Sequence, residues 1–291
     1  MTRMRDASLT PSTSPPASTD RTPAAWAPAP LTPASAEDGA RGGPLLCLLF
    51  AAGSYPDPLP PLPAADIVIA ADGGLDVLRR LGRRADVAVG DFDSLVGARP
   101  RDGGPDAARV IALPPQKDDT DMLAALKTGW SLGARVFHVF GGLGGRVDHS
   151  LANMQTMALL AAHGGIGFLH GDGQVVTAVA DGRLSFPAHA CAPRSMVSVL
   201  SHTDESRGVS ETGLKYGLDG VTMSNVQVRG VSNEFLDRIP AVVEVRHGTL
   251  VVTFPEDAPL PSLIPFHAWD GRLGRLDASV SAALRTPGSL A

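Results

Sequence analysis

Two aspartates lie two residues apart in GDFDS, residues 90–94, directly after the apolar run at 86–89. Carboxylates this close repel each other, and a bound cation would offset that repulsion. Mg²⁺ suits such a site, because it usually takes one or two carboxylates together with phosphate oxygens of a ligand. The alternative is a polar turn in which Asp91 and Asp93 accept hydrogen bonds from nearby backbone N–H groups. The choice depends on what the neighbouring segments carry.

Three other polar segments also follow apolar runs. They are Asp72-Gly73-Gly74 after 66–71, PPQKDDTD after 109–113, and GGLGGRVDH after 135–140. In an open parallel sheet the carboxyl ends of the strands meet at one edge, where ligands bind. Asp72 or Asp148 could instead cap a helix, and Asp119 to Asp121 suit a helix first turn. Capping alone does not require five or more acids at one edge, so we interpret the set as a ligand site.

These residue types suit transfer of a phosphoryl or pyrophosphoryl group. A divalent metal would neutralise polyphosphate charge and polarise the phosphorus. Backbone N–H groups of GGLGGR could approach phosphates, with Arg146 as a fork-shaped donor. The glycine pattern alone is weak evidence. It is not a GxxxxGK[ST] loop, and Val147 stands where a dinucleotide fingerprint has its third glycine.

Alternating apolar strands and amphipathic helices are predicted to position these segments. The strands are expected at 45–52, 66–71, 86–89, 109–113, 135–140 and 166–170, and the helices at 74–82, 120–132 and 149–163. This alternation predicts an α/β fold with an open, mostly parallel sheet. After about residue 172, short apolar runs are separated by Gly, Pro, Asp and Asn. That pattern predicts a small antiparallel β domain.

Four regions follow from these patterns. Residues 1–43 are rich in Ala, Pro, Ser and Thr and are expected to be disordered. Residues 44–172 are the α/β domain and 173–255 the β domain. Residues 256–291 form a C-terminal extension, with a short helix expected near 276–285.

Composition excludes several classes of partner. The chain has 291 residues and a formal net charge of −5, and it carries no block of Lys or Arg. We therefore expect no nucleic-acid partner and no anionic membrane surface. Its longest apolar run, residues 45–52, is too short to span a bilayer. Cys47 and Cys191 form neither a disulfide framework nor a metal cluster. These features favour a cytoplasmic protein.

Six motifs, in order and spacing, resemble the thiamine pyrophosphokinase family. They are DGG (72–74), GDFDS (90–94), KDDTD (117–121), GGRVDHSLAN (144–153), GLKYGL (213–218) and GVSNEF (230–235). The resemblance covers about 44–254 and implies an α/β nucleotide domain, a β-sandwich domain, and a homodimer with thiamine bound between subunits. It implies pyrophosphoryl transfer from ATP to the thiamine hydroxyl, giving thiamine diphosphate and AMP. Gly217 departs from bacterial members, which often have Pro there, and the β domain offers no Trp to stack on the pyrimidine.

The resemblance also implies residue roles. Asp72, Asp91, Asp93 and Asp121 are the expected catalytic acids, and Asp91, Asp93 and Asp121 the expected Mg²⁺ ligands. Ser232 and Asn233 are expected to contact thiamine from the partner subunit. The expected ATP-binding residues are Lys117, Thr120, Gly144, Gly145, Arg146, Asp148, His149 and Asn153. Asp121 is our candidate for accepting the hydroxyl proton, although its place at a helix start predicts a lowered pKa.

Several of these residues have a plainer interpretation. Lys117 could pair with Asp118 or Asp119 instead of a phosphate, and His149 and Asn153 could be a polar pair facing solvent. Ser232 and Asn233 could form an ordinary β turn. Tyr216 is expected in the core.

Two other functions remain open at this point. One is a pyrophosphokinase for another small alcohol, such as a hydroxymethylpterin, since only the β domain favours thiamine. The other is a non-catalytic thiamine- or nucleotide-binding regulator, which the intact Asp91, Asp93 and Asp121 disfavour. Metal-dependent phosphohydrolysis is a weaker third possibility, because no residue stands out as a water activator.

Removal of residues 1–43 is expected to change little. Their composition cannot support a packed core, so a chain that begins at Gly43 should keep the melting temperature, dimeric state and activity of the full chain. Scanning calorimetry and size-exclusion chromatography measure the first two. Loss of the dimer on truncation would contradict the prediction.

Overall fold

The computed structural model describes residues 44–268 and 271–280. The disordered segment predicted for 1–43 lies outside the described residues. The short helix predicted near 276–285 is described only over 276–280, which contain no helix.

Six parallel strands form one part of a single large sheet. They are β1 (Leu45–Phe50), β2 (Ile67–Ala71), β3 (Ala85–Gly90), β4 (Ala107–Ala112), β5 (Ala134–Phe140) and β6 (Ile166–Gly171). Their spatial order is β6-β5-β1-β2-β3-β4, and every neighbouring pair is parallel. All five residues of β2 are buried, as expected where both faces of a parallel strand are covered. The predicted open α/β sheet is confirmed.

Three helices pack against this parallel part. They are α1 (Gly74–Arg80), α2 (Asp121–Ser131) and α3 (Val147–Ala162). Since successive side chains of a strand point to opposite faces, Leu48 and Leu49 of β1 belong to different cores. Leu49 packs in the core that includes residues of α2 and α3, and Leu48 in the core that includes residues of α1. Each face of the sheet therefore has its own apolar layer.

The second part of the sheet is antiparallel and has no helix in the described chain. Its strands are β7 (Gln174–Phe186), β8 (Met196–Ser201), β9 (Glu205–Thr212), β10 (Leu218–Ser224), β11 (Asn233–Glu234), β12 (Ala241–Pro255) and β13 (Ser262–Pro265). β7 pairs directly with β6, so the sheet continues as β10-β9-β12-β7-β6. A third core, which includes Phe186 and Phe254, fills this part. The predicted antiparallel β region is confirmed.

The segment after residue 255 is integrated with the rest of the fold. β13 pairs with β7, and Leu273 is buried in the core shared with α2 and α3. The predicted C-terminal extension thus contributes a strand and a core side chain. No helix in the described ranges has the length and apolar character to cross a membrane.

Candidate active site

A cavity of about 850 Å³ opens at the carboxyl ends of the parallel strands. Segments that follow β1, β2, β3, β4 and β5 line it, together with the first residues of α2 and α3. The predicted residues in its lining are Asp72, Asp91, Asp93, Lys117, Thr120, Asp121, Gly144, Gly145, Arg146, His149 and Asn153. Asp148 is not part of the lining, but it forms an ion pair with Arg146. The structure therefore brings together nearly all of the residues expected at the α/β site.

Residues 51–54 also line the cavity and were not predicted to do so. They follow β1, and the Gly53 N–H donates to the Gly141 carbonyl at 2.8 Å. A Cβ at Gly53 would collide with that same carbonyl oxygen. The available sequence signal was a Gly-Ser pair directly after the first apolar run.

Backbone geometry after β2 and β3 explains why the acids converge. The Asp72 N–H donates to the Val89 carbonyl at 2.8 Å, which ties the end of β2 to β3. Gly90 has φ +152°, and a Cβ there would lie 3.1 Å from the Asp72 Cα, so the position requires glycine. Phe92 is buried in the core beneath, while Asp91 and Asp93 on either side of it line the cavity.

Three carboxylates form a cluster suited to a divalent cation. One oxygen each from Asp72, Asp91 and Asp93 lies within 4.8 Å of the others. Asp72 is buried; its Oδ2 accepts from the Ser94 hydroxyl, and its Oδ1 has no hydrogen-bond partner among the described residues. Hard oxygen donors in such a group fit Mg²⁺, which a carboxylate with an unmet lone pair could hold. The residues present thus fit the expected metal, with Asp72 in the group.

Charge repulsion within this cluster shifts the pKa values of its carboxyl groups. The negative charge of Asp91 is the main cause that raises the pKa of Asp93 above its usual value. For Asp91 itself, burial acts to raise the pKa, but hydrogen bonds from Lys117 and from the backbone of Asp93 outweigh it, so that pKa is lowered. Asp91 therefore favours its ionised form, and its negative charge disfavours the ionised form of Asp93.

Lys117 links the cluster to Asp121. Its Nζ lies 3.1 Å from Asp91 Oδ2 and 3.0 Å from Asp121 Oδ1, and its side chain is almost fully buried. It does not pair with Asp119, which instead forms an ion pair with Lys127 at 2.6 Å. Among the described acids, Asp121 is not a member of the three-carboxylate cluster. Lys117 thus holds Asp121 beside the cluster.

The expected low pKa of Asp121 is wrong. Burial raises the pKa, and the charges of Asp91 and Asp72 add to this effect, while Lys117 opposes it. The sequence argument considered only the favourable field of the α2 N-terminus. Desolvation of a half-buried carboxylate among other acids is the stronger effect here.

Two predicted ATP-binding side chains have structural partners in this chain. The Thr120 hydroxyl accepts from the Leu123 N–H at 3.2 Å and so caps the N-terminus of α2. Asn153 is buried, and its Nδ2 donates to the Gly142 carbonyl at 2.7 Å. It therefore fixes the glycine-rich loop, whereas His149, one turn earlier on α3, is exposed at the cavity.

The glycine-rich loop leaves room for an anionic ligand. Gly144 and Gly145 have φ +78° and +72°, a conformation that favours glycine. Apart from the adjacent residues, no described residue lies within 4 Å of a Cβ placed at Gly145. Arg146 follows, and its ion pair with Asp148 at 2.6 Å is largely exposed. Exposed pairs of this kind contribute little stability, so Arg146 can exchange Asp148 for a phosphate at small cost.

A second cavity, of about 310 Å³, lies in the antiparallel part. Ser232 and Asn233 line it, and within the described chain no residue lines both cavities. Tyr216, expected in the core, is 61% exposed and also lines the second cavity. The prediction for Tyr216 is wrong because Leu214, which bridges to Phe235, takes the buried position of this turn. Tyr216 therefore contributes an aromatic ring to the lining of the second cavity.

Glu211 is a residue of this cavity that the sequence did not single out. It lies two positions after the buried Val209 on β9, so both side chains point to the same face. It is only 2% exposed. The available sequence signal was that Glu211 shares the strand face of the apolar Val209.

Two family models match the chain. One is described as "Thiamin pyrophosphokinase, catalytic domain" and matches residues 62–165. The other is described as "Thiamin pyrophosphokinase, vitamin B1 binding domain" and matches residues 188–250. Together they cover more than half of the chain, in the order of its two parts. The chain belongs to the thiamine pyrophosphokinase family.

Solved structures of family members share the fold. Thiamine pyrophosphokinase from Bacillus subtilis aligns with a TM-score of 0.62 at 22% identity, over 73% of this chain and 99% of that chain. The protein from Geobacillus thermodenitrificans gives 0.58 at 25% identity, over 74% and 100%. The protein from Candida albicans gives 0.59 at 14% identity, over 74% and 90%. No curated protein matched the chain.

Substitution of Asp93 tests the charge repulsion in this family member. Its folded-state pKa is raised, so its ionised form opposes folding at neutral pH. Asp93→Asn is expected to raise the melting temperature in metal-free buffer at pH 7. The gain should vanish at acid pH, where the wild-type carboxyl is already protonated.

Calorimetry with and without Mg²⁺ also tests the metal site. Mg²⁺ should raise the melting temperature of the wild type, and less so that of Asp93→Asn or Asp91→Asn. Asp219→Asn, an exposed change on β10, is the matched control and should behave as wild type. An equal increase in melting temperature with Mg²⁺ in all four proteins would indicate that GDFDS is a polar turn and not a metal site.

Proposed function

We propose that the chain transfers a pyrophosphoryl group from ATP to the hydroxyl of thiamine, giving thiamine diphosphate and AMP. One observation carries the proposal: three carboxylates, a glycine-rich loop and Arg146 share one cavity in a chain that matches both family models. Phosphoryl-transfer sites typically place oxygen ligands for a metal ion beside groups that bind phosphate. The proposed location is the cytoplasm, and both cysteines are free thiols, as a reducing compartment requires.

ATP is proposed to bind across the glycine-rich loop. Gly145 leaves space for phosphate oxygens, and Arg146, at the start of α3, can donate two parallel hydrogen bonds to them. Mg²⁺ held by Asp72, Asp91 and Asp93 would neutralise polyphosphate charge and polarise the phosphorus. His149 extends the lining along α3.

Asp121 is proposed to accept the proton of the attacking hydroxyl. In the transfer, the thiamine oxygen bonds to the β-phosphorus while the bond from that phosphorus to the α,β-bridging oxygen breaks, and AMP leaves. The raised pKa of Asp121 makes it a better base than an exposed aspartate. Lys117 fixes its position beside the cluster through the 3.0 Å ion pair.

Thiamine is proposed to bind in the second cavity of a partner copy. Because the two cavities of one chain share no lining residue in the described range, an active site that uses both is readily built between two subunits. Exposed apolar side chains occur in segments that contribute residues to each cavity. They are Val147 and Leu151 at the start of α3, and Tyr216, Val226, Val228 and Val231 in the antiparallel part. Burial of such side chains on association would favour a homodimer.

The other pyrophosphokinase reaction receives less support. A pyrophosphokinase for a hydroxymethylpterin would not require a region that matches a vitamin B1 binding model. A purely regulatory role does not explain why Asp72, Asp91 and Asp93 are held close together despite their mutual repulsion.

A direct assay tests the proposal. Purified protein with ATP, Mg²⁺ and thiamine should release AMP and thiamine diphosphate in equal amounts, quantified by chromatography. Asp91→Asn should lower kcat by about a hundredfold or more, the scale for losing a charge-stabilising group. Release of ADP in place of AMP, or turnover of a hydroxymethylpterin but not thiamine, would sink the assignment.

Two variants should separate chemistry from acceptor binding. Asp121→Asn is expected to lower kcat by about a hundredfold or more with little change in either KM, as loss of a general base does. Asn233→Ala is expected to raise KM for thiamine far more than for ATP, since Asn233 organises the second cavity. Steady-state kinetics with each substrate varied in turn provides the measurement. A similar pattern in both variants would contradict the division of roles.

A further inference from the structure

Glu211, which lines the second cavity, carries an unmet hydrogen-bond acceptor. The residue is 2% exposed and lines the cavity, and its Oε1 has no hydrogen-bond partner in the described chain. Buried polar atoms are nearly always paired, so an unpaired one on a residue that lines a cavity calls for an explanation. A ligand that brings a donor to Oε1 would supply the missing bond.

The other oxygen of Glu211 is fixed in place. Its Oε2 accepts from Asn233 Nδ2 at 2.8 Å, and the same Nδ2 donates to the Tyr216 carbonyl at 2.7 Å. Asn233 Oδ1 accepts from the N–H groups of Tyr216 and Glu234 at 3.0 and 2.9 Å. The Asn233 amide has thus used its hydrogen-bonding capacity within the chain. It is placed to orient Glu211, and Oε1 is the atom left for the ligand.

The surroundings of Oε1 suit the edge of a flat heterocycle. Apolar walls of the same cavity are formed by Leu218, Val221, Met223 and Val231. Arg229, the other charged residue of the lining, is exposed to solvent. Burial raises the pKa of Glu211, and the hydrogen bond from Asn233 opposes that shift. A donor at Oε1 would stabilise the ionised form further.

We infer that Oε1 of Glu211 accepts a hydrogen bond from the exocyclic amino group of the aminopyrimidine ring of the acceptor. This inference rests on the proposed function and assigns a specificity-determining residue to it. Asn233 then acts as a positioning residue, and the apolar walls cover the faces of the ring. The carboxylate selects an amino group at this ring position over an oxo group.

The selectivity follows from the hydrogen-bonding chemistry of the amino group and of the oxo group. An amino group brings N–H to an acceptor that has no other partner in the described chain. An oxo group brings a lone pair against a carboxylate lone pair and leaves Oε1 unmet. Sites built to satisfy a buried polar group reject ligands that leave it unpaired.

Glu211→Gln tests the assignment with minimal change of shape. Asn233 Nδ2 still needs an acceptor, so the glutamine oxygen should take the place of Oε2 and its amide N–H₂ should replace Oε1. The variant would then present a donor to the ring. We expect KM for thiamine to rise about tenfold or more, with KM for ATP and kcat nearly unchanged. We also expect a shift of preference toward the thiamine analogue that carries oxygen in place of the amino group.

Glu205→Gln is the matched control. Glu205 starts the same strand but is exposed and pairs with Arg207 at 2.6 Å, so this variant should retain the wild-type kinetics and ligand preference. Unchanged KM for thiamine and unchanged ligand preference in Glu211→Gln would overturn the inference. Melting temperatures of both variants verify that they are folded.

Calorimetric titration keeps this inference separate from the proposed reaction. Wild-type protein should bind thiamine about tenfold or more tightly than the oxo analogue, whether or not turnover occurs, and this comparison needs no variant. Normal turnover with equal binding of the two ligands would overturn the role of Glu211 alone. Absence of both turnover and thiamine binding would overturn the proposed function together with the inference.

Discussion

Repulsion among carboxylates at one edge of the sheet is the constraint on which the site depends. Asp72, Asp91 and Asp93 bring oxygens within 4.8 Å of one another. Among the residues that the structure describes, only Lys117 forms an ion pair with this cluster, through Asp91. Such an arrangement costs free energy in the empty protein and is relieved when a cation binds. Strain of this kind is typical of functional sites, where a folded scaffold holds groups that would otherwise separate.

The parallel sheet is the scaffold that holds these groups. β2 and β3 are neighbours, so the loops that follow them meet, and the hydrogen bond from Asp72 to Val89 fixes their spacing. β1 has β2 on one side and β5 on the other, which makes the gap between β1 and β5 the switch point of the topology. Residues 51–54 and the glycine-rich loop lie there and both line the cavity, as expected for open α/β sheets.

The antiparallel part contains a cavity of a different chemical character. Its cavity has apolar walls and a hydrogen-bonded cluster in which Asn233 joins Glu211 to the turn at Tyr216. A fully engaged amide in an apolar setting rigidifies its surroundings, because each broken bond would leave a buried polar atom unpaired. One part of the chain therefore supplies charge and anion-binding groups, and the other supplies a shaped apolar pocket. Their combination in a homodimer would join the two chemistries.

Local patterns in the sequence determined much of this protein. Strand and helix positions follow from residue periodicity, and the acids at the strand ends follow from their place after apolar runs, since both depend on neighbours along the chain. Only the tertiary structure decided which partners these side chains take. Lys117 pairs with Asp91, 26 residues away, and burial outweighs the helix field at Asp121. Leu214 displaces Tyr216 from the core, and Glu211 faces a cavity. These outcomes depend on distances and desolvation across distant segments, which no local pattern encodes.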